Sequence, residues 1–295
     1  MEKDKAEISA ESNAPVYPPR VEEELADLYE NLEEIHENVK LELEERGLTA
    51  ADLGITCDTC DESKNDKQPL IQPDNLALPI DLVRKVIIKV TEELKAVVGD
   101  NKKQGLEEFA QSIENNDLNM DELLNSFFSQ KNENKEVDSS PNTAGISFDL
   151  FFQIMLFTLR PFFSWLKEKT QDEEQTEENW RQNTCPVCGA MPELSRLTHE
   201  EGRRILFCWL CSNEWRFERF TCLYCGESQA EGQKYFVVEN RPYRVDICQD
   251  CGRYLKVIDE RRLPEMKADM LNWLINDLGT DHLDSLAQEE GYTRI

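Results

Sequence analysis

Four Cys-x-x-Cys pairs lie within 67 residues of this 295-residue chain: Cys185/Cys188, Cys208/Cys211, Cys222/Cys225 and Cys248/Cys251. A Cys-x-x-Cys turn directs two sulfurs toward one metal ion, and two such turns supply the four thiolates of a closed tetrahedral site. Intervals of 19 residues from Cys188 to Cys208 and 22 residues from Cys225 to Cys248 are near those of paired knuckles in four-cysteine sites. The spacing therefore predicts two metal sites.

Sequential pairing of the turns is the simplest solution. It places Cys185, Cys188, Cys208 and Cys211 in one site, and Cys222, Cys225, Cys248 and Cys251 in the other. Spacing alone leaves an interleaved arrangement open, because only ten residues lie between Cys211 and Cys222. A glycine directly follows the second cysteine in three of the four pairs, at Gly189, Gly226 and Gly252. Glycine there fits the positive φ that such knuckles use.

The cysteine pattern favours a structural role for the metal, because closed four-cysteine sites usually hold a small domain together. Iron in the same site would be able to carry electrons, and sulfur ligation does not separate zinc from iron. Thiol-disulfide exchange is disfavoured, since a coordinated thiolate is poorly available for attack. We predict two metal ions, iron or zinc, each in a four-Cys site. The sequence shows no catalytic residues, and we expect no enzymatic activity.

Two further cysteines, Cys57 and Cys60, form a Cys-x-x-Cys pair that has no matching second pair. We interpret them as loop thiols in preference to half of a shared metal site. The three histidines, His36, His199 and His282, have no partner at a metal-ligand spacing, so we offer none of them as a ligand or a base.

The strong acidity of the chain bears on its partners. A formal net charge of −27 disfavours binding to nucleic acid or to an anionic membrane, so a protein partner is the better expectation. The apolar stretch from Phe148 to Leu166 contains Asp149, Arg160 and Pro161, which favours a buried core helix, bent or broken at Pro161, over a membrane span. The first residues lack the apolar segment of a secretory signal, and we expect a cytoplasmic protein without membrane insertion.

The pattern of apolar and charged residues divides the chain into five parts. Residues 1–20 are expected to lack fixed structure, and residues 21–168 show helical apolar spacing over about five helices. Residues 169–180 form an acidic linker, residues 181–262 hold short β-prone runs between the cysteine pairs, and residues 263–295 form a C-terminal helical segment that begins at Pro264. The predicted fold class is α+β: an N-terminal helical domain, two small rubredoxin-like (zinc-ribbon-like) modules and a C-terminal helix.

Aromatic and basic residues alternate among the cysteine pairs. The aromatic residues are Phe207, Trp209, Trp215, Phe217, Phe220, Tyr224, Tyr235, Phe236, Tyr243 and Tyr254. The arginines among them are Arg203, Arg204, Arg216, Arg219, Arg241 and Arg244. Such a set is able to stack single-stranded bases, but in a small module the aromatic residues more often build the core and the arginines form its solvated face. We favour the core, and a ribbon-type nucleic-acid-binding protein is kept as an alternative function.

At the cysteine pairs the chain resembles a known family. The shared motifs are Cys185-Pro-Val-Cys188-Gly-Ala-Met-Pro192, Cys208-Trp-Leu-Cys211-Ser-Asn-Glu-Trp215, Cys222-Leu-Tyr-Cys225, Cys248-Gln-Asp-Cys251-Gly-Arg-Tyr-Leu-Lys256 and Gln288-Glu-Glu-Gly-Tyr-Thr-Arg294. Over about residues 180–295 the sequence is similar to the formate dehydrogenase accessory protein family, FdhE. The N-terminal half resembles that family only in being helical and of similar length.

The resemblance implies a cytoplasmic maturation factor that binds the catalytic subunit of a formate dehydrogenase during assembly. It also implies two rubredoxin-like modules that hold iron or zinc on all eight cysteines from Cys185 to Cys251. A small rubredoxin-like electron carrier is a further alternative. The sequence does not specify how many copies of this chain associate, and a homodimer is one of the arrangements that it allows.

Overall fold

After one short strand, five helices come first in the chain, and six strands and two further helices follow them. The computed structural model describes residues 6–8, 21–55, 68–129, 145–170, 180–228, 234–238, 242–263 and 273–294. In these ranges, none of the helices has both the length and the apolar character that crossing a membrane requires. Cys57 and Cys60 lie outside the described residues, and so do residues 171–179 of the predicted acidic linker.

Five helices make up what we call the helical region, residues 21–170. They are α1 (Glu23–Glu45), α2 (Ile80–Val97), α3 (Asp100–Glu114), α4 (Met120–Ser129) and α5 (Phe148–Thr170). Each helix buries one apolar face in a common core, as the spacing of three and four residues predicts. On α1 the buried apolar residues are Leu28, Leu32, Ile35, Val39 and Leu43.

Helix α5 is the most apolar of these elements, and it runs without interruption through Pro161 to Thr170. The helix is therefore not broken at Pro161, and the first two residues of the predicted linker are helical. An internal proline costs a helix roughly 3 kcal/mol. Phe162 and Phe163, which directly follow it, are 0% exposed. Because burying one such side chain contributes about 1.5–3 kcal/mol, the two together offset that cost.

One sheet contains all seven strands of the described residues. The strands are β1 (Ala6–Ile8), β2 (Leu194–Leu197), β3 (Arg204–Phe207), β4 (Glu214–Phe217), β5 (Lys234–Val238), β6 (Tyr243–Ile247) and β7 (Tyr254–Asp259). Their order across the sheet is β1-β5-β6-β7-β2-β3-β4. Strands β3 to β6 match the predicted β-prone runs, whereas β1, β2 and β7 were not predicted. Those runs are Arg204–Phe207, Glu214–Phe220, Lys234–Val238 and Tyr243–Asp246.

The pairing of β2 with β7 joins the two predicted modules into one sheet. These strands are parallel, with Leu194 opposite Lys256 and Leu197 opposite Asp259. Strands β2, β3 and β4 form an antiparallel unit around the first two cysteine pairs, and β5, β6 and β7 form a second unit around the last two. The predicted fold class is confirmed, with the addition that the modules share a continuous sheet.

The two ends of the chain both approach this sheet. Strand β1 lies parallel to β5. We predicted that residues 1–20 lack fixed structure, and of these residues the structure describes only the strand at 6–8. The predicted C-terminal helical segment contains two helices, α6 (Trp273–Leu278) and α7 (Asp281–Glu289). Residues 264–272, with the predicted start at Pro264, lie outside the described part of the chain.

Candidate metal centres

The first four cysteines form what we call the first cluster: Cys185, Cys188, Cys208 and Cys211. The Sγ atoms of Cys185 and Cys211 are 3.5 Å apart, and those of Cys188 and Cys208 are 3.4 Å apart. All four sulfurs lie within 4.8 Å of one another. In a tetrahedral site with metal–sulfur bonds of about 2.3 Å, two sulfurs are separated by about 3.8 Å. The sulfurs of the first cluster are thus close to the positions that one ion requires.

The last four cysteines form the second cluster: Cys222, Cys225, Cys248 and Cys251. The Cys222 and Cys251 sulfurs are 3.7 Å apart, and so are those of Cys225 and Cys248. In both clusters the turns pair sequentially along the chain, so the interleaved arrangement is not the one that the fold adopts. The chain therefore has two four-cysteine clusters that could hold metal ions.

The same backbone turn holds each pair of cysteines. In the first turn the Gly189 N–H donates to the Cys185 carbonyl at 2.9 Å, and the Cys185 N–H donates to the Ala190 carbonyl at 2.8 Å. The turns that begin at Cys208, Cys222 and Cys248 repeat both hydrogen bonds. This repeated geometry fixes two sulfurs per turn on the same side of the backbone, as a rubredoxin-like knuckle requires.

The residue after each second cysteine adopts a left-handed conformation. Glycine occupies it in three turns, with φ of 71° at Gly189, 76° at Gly226 and 69° at Gly252. In the fourth turn Ser212 takes the same position with φ of 56°. A residue with a Cβ atom is strained there, so the turn must be held by its surroundings. The Ser212 carbonyl accepts a hydrogen bond from Lys167 Nζ at 3.1 Å, which supplies such a restraint from α5.

The chemistry of the donor set fits a cation. Burial raises the pKa of the Cys185 and Cys211 thiols, so without a compensating positive charge they retain their protons. Burial also tends to raise the pKa of Cys248, but amide hydrogen bonds from Cys251 and Asp250 bring that pKa below its usual value. Four thiols that converge on one point therefore match a divalent ion of the zinc or iron type, which deprotonates its sulfur ligands.

The helical region packs directly against the first cluster. The Leu70 N–H donates to the Pro186 carbonyl at 3.1 Å, and the Ile71 N–H donates to the Val187 carbonyl at 2.7 Å. Pro186 and Val187 are the two residues between Cys185 and Cys188. All four cysteines of the first cluster belong to the same apolar core as α1 to α5. The first cluster thus lies where the helical region and the sheet meet.

The chain terminus packs against the second cluster. The Thr293 N–H donates to the Gly252 carbonyl at 2.9 Å, and the Tyr254 N–H donates to the Thr293 carbonyl at 3.2 Å. Tyr224, inside the third turn, donates from its hydroxyl to the Tyr254 carbonyl at 3.1 Å. Residues of the motif that closes the sequence therefore support the fourth knuckle.

Buried charges lie beside the second cluster, so the prediction that the arginines form a solvated face is wrong for Arg204 and Arg244. Arg204 is 3% exposed, and its guanidinium donates to Asp246 Oδ2 at 2.7 Å and to the Thr221 carbonyl at 3.1 Å. Thr221 directly precedes Cys222. Arg244 donates to the same Asp246 oxygen at 3.1 Å. These contacts fix the chain that leads into the third knuckle.

Most of the aromatic residues near the cysteines build the core. The buried ones are Phe207, Trp209, Trp215, Phe217, Tyr243 and Tyr254. Phe207 stacks on Trp273 of α6 with ring centroids 4.7 Å apart. Phe220, in contrast, is 47% exposed. The interpretation of this set as core agrees with the structure.

Comparison with known proteins finds FdhE proteins by a family model and by sequence, and an FdhE protein of similar fold among solved structures. The family described as "FdhE, central domain" matches residues 184–219, which include the whole first cluster. A "Protein FdhE homolog" of Aquifex aeolicus (strain VF5) is 30% identical over 155 residues, which are 51% of this chain and 52% of that protein. The resemblance to the FdhE family is confirmed.

Other FdhE relatives extend the match. A "Protein FdhE homolog" of Proteus mirabilis (strain HI4320) is 26% identical over 212 residues, 71% of this chain and 62% of that protein. The crystal structure of the FdhE protein from Pseudomonas aeruginosa has the same fold, with a TM-score of 0.57, 19% identity and coverage of 94% of this chain and 95% of that one. The sequence match spans about half the length of the Aquifex relative.

Proposed function

We propose that this protein is a maturation factor for formate dehydrogenase, which binds the catalytic subunit of that enzyme during its assembly. The observation that supports the proposal is the order of four cysteine knuckles in a chain that resembles FdhE in sequence and shares the fold of an FdhE crystal structure. We propose that the chain acts by binding this subunit and that it catalyses no reaction itself. We place the protein in the cytoplasm.

The eight cysteines of the two clusters are the proposed metal ligands, and iron or zinc is the proposed ion in each. A bound ion would supply positive charge that stabilises four thiolates, and it would cross-link turns that are distant in sequence. The protein contributes the repeated backbone turns, which hold the sulfurs of Cys188 and Cys208 3.4 Å apart and those of Cys222 and Cys251 3.7 Å apart. The metal would thus hold together strands and turns that lie far apart in the sequence.

Co-purification tests the proposed partner. The tagged protein is isolated from its native host under anaerobic conditions, and co-eluting proteins are identified by mass spectrometry. We expect a formate dehydrogenase catalytic subunit, and we expect less of it with the Cys248→Ser variant, because the loss of one ligand disrupts the second cluster. A Lys85→Met variant, changed at an exposed position of α2, is the matched control. Repeated absence of that subunit from the wild-type eluate would contradict the proposal.

A deletion experiment tests the same proposal in the cell. Removal of the gene should abolish formate dehydrogenase activity while the transcripts of the enzyme persist, and the wild-type gene should restore the activity. Unchanged activity in the deletion strain would contradict a maturation role.

Electron transfer is a second candidate function, and one observation favours it. Cys225 of the second cluster is exposed, and an exposed iron–thiolate site is open to electron exchange with a partner. Anaerobic purification from the native host followed by optical spectroscopy tests this candidate. A colourless protein that contains zinc alone would eliminate it.

A further inference from the structure

The first cluster is enclosed on all sides. Cys185, Cys208 and Cys211 are 0% exposed and Cys188 is 2% exposed. Pro69 also covers the first turn, because a Cβ atom at Gly189 would lie 3.0 Å from its Cγ. A chelator can remove a metal ion from such a site only after the surrounding protein has opened.

Opening the first cluster would separate the helical region from the sheet. The Leu70 and Ile71 amides hydrogen-bond to the residues between its first two cysteines, and Lys167 of α5 hydrogen-bonds to the carbonyl of Ser212. Arg160 of α5 also lies 3.5 Å from the Ser212 hydroxyl. Access to these sulfurs therefore requires the loss of contacts from two separate segments of the helical region, a partial unfolding of the protein.

The second cluster is partly open. Cys225 is exposed and Cys251 is partly exposed, whereas Cys222 and Cys248 are 7% and 3% exposed. Each of its two knuckles therefore contributes one buried and one accessible cysteine. An incoming ligand can displace the accessible sulfurs while the buried ones still hold the ion.

The backbone around the second cluster is anchored independently of the accessible sulfurs. Arg204 donates to the carbonyl of Thr221, and the Asn183 side chain donates to the Leu223 carbonyl at 2.6 Å. The Tyr224 amide donates to Cys222 Sγ at 3.4 Å. These contacts keep the third knuckle in place when Cys225 leaves the metal, so exchange does not require unfolding.

We propose that the second cluster exchanges its metal ion with solution in the folded protein, and that the first cluster retains its ion until the helical region and the sheet separate. The ligand is a divalent cation; it leaves as a chelate, and solvent protons neutralise the released thiolates. This inference rests on the metal binding in the proposed function, but it does not depend on the identity of the partner.

Chelator competition tests the proposal. The full-length protein is loaded with Zn²⁺ and mixed with a chromogenic chelator, pyridylazoresorcinol, without denaturant. We expect two phases of one equivalent each, with the first at least about ten-fold faster because only the second phase requires partial unfolding. N-ethylmaleimide added during the first phase should modify cysteines of the second cluster, with Cys185, Cys188, Cys208 and Cys211 protected in peptide mass spectra.

Two matched variants assign the phases. Cys225→Ser should remove the fast phase and leave one slowly released equivalent. Cys188→Ser should remove the slow phase; if that variant fails to fold, the labelling of the wild-type protein still decides the order. Release of two equivalents at one rate, or earlier labelling of the first cluster, would overturn the proposed difference. Failure of the chain to bind two equivalents would instead contradict the proposed metal binding itself.

Discussion

Two cations in different regions of the molecule each bridge a pair of carboxylates. In the helical region Arg46 lies 2.5 Å from Glu42 and 2.7 Å from Asp81, and its side chain is 30% exposed. In the sheet Lys256 lies 2.6 Å from Asp277 and 2.7 Å from Asp284, and its side chain is 2% exposed. The two arrangements are alike in distance and differ in burial.

That difference determines what each cation contributes to the fold. Water screens the exposed pairs, so they add little to stability. Buried carboxylates depend on their partner, because ions removed from water carry a large desolvation cost. Lys256 also donates to the Asp277 carbonyl at 2.8 Å, so all three of its N–H groups have acceptors. The helical region is thus held mainly by apolar packing, and the sheet depends in addition on buried charge.

Removal of the buried cation should have the largest effect. Lys256→Met leaves Asp277 and Asp284 without their closest cation, and we expect the free energy of unfolding to fall by about 3–5 kcal/mol. Arg294, which is 2.8 Å from Asp277, compensates in part and favours the lower end of that range. Urea unfolding of the full-length metal-loaded protein, followed by circular dichroism, measures the change.

Two further variants show whether charge explains the loss. Adding Asp284→Asn to Lys256→Met removes one of the uncompensated carboxylates, so it should restore part of the stability. Lys85→Met changes a lysine whose side chain is 60% exposed, and it should leave the unfolding curve within about 0.5 kcal/mol of wild type. If Lys256→Met cost no more than Lys85→Met, the contrast between the two regions would be wrong.

Sequence patterns predicted the helical region and the knuckles better than the sheet. The helices follow from local apolar periodicity, and each knuckle follows from residues within one turn. Strands β2 and β7 were not predicted because Ser195 on β2 and Lys256 on β7 are buried among apolar neighbours, which interrupts an apolar pattern. Their parallel pairing also joins residues about 60 positions apart, and no local signal specifies it.

The candidate site shows the same limit. Spacing predicted the eight cysteines. It did not predict that Leu70 and Ile71 enclose the first cluster, or that Arg204 supports the second. Such contacts join residues that obey no spacing rule, since they depend on how separate elements pack. Spacing therefore indicated the ligands, and only the fold showed that the two clusters differ in access.

A buried histidine in the helical region should make the stability of the protein depend on pH. His36 on α1 is 7% exposed, and burial, with the nearby cations Arg160 and Lys40, lowers its pKa from 6.5 to about 3. Between those values the unfolded chain binds a proton that the folded protein does not, so stability falls as pH falls from 6.5 toward 3. The contribution is at most about 1.4 kcal/mol per pH unit.

The His36→Gln variant isolates this effect, because glutamine does not titrate. Urea unfolding at several pH values between 5 and 7 should show that the wild-type protein loses stability more steeply than the variant on acidification. Carboxylates and cysteine ligands titrate in both proteins and cancel in the difference. If the stabilities of the two proteins changed equally with pH, the environment of His36 would not exclude the protonated imidazole.

The smallest effect is expected at the exposed counterpart of Lys256. Arg46→Met removes both ion pairs to Glu42 and Asp81, yet water solvates the carboxylates that remain, and Asp81 is itself 62% exposed. We expect a loss of about 0–1 kcal/mol in urea unfolding, and a smaller loss at high salt, where the pairs are screened in the wild-type protein as well. Lys256→Met should keep most of its larger loss at the same salt concentration, because the side chains of Asp277 and Asp284 are only 13% and 17% exposed. A loss for Arg46→Met as large as that for Lys256→Met would mean that the number of ion contacts, and not their burial, sets the contribution of a charge in this protein.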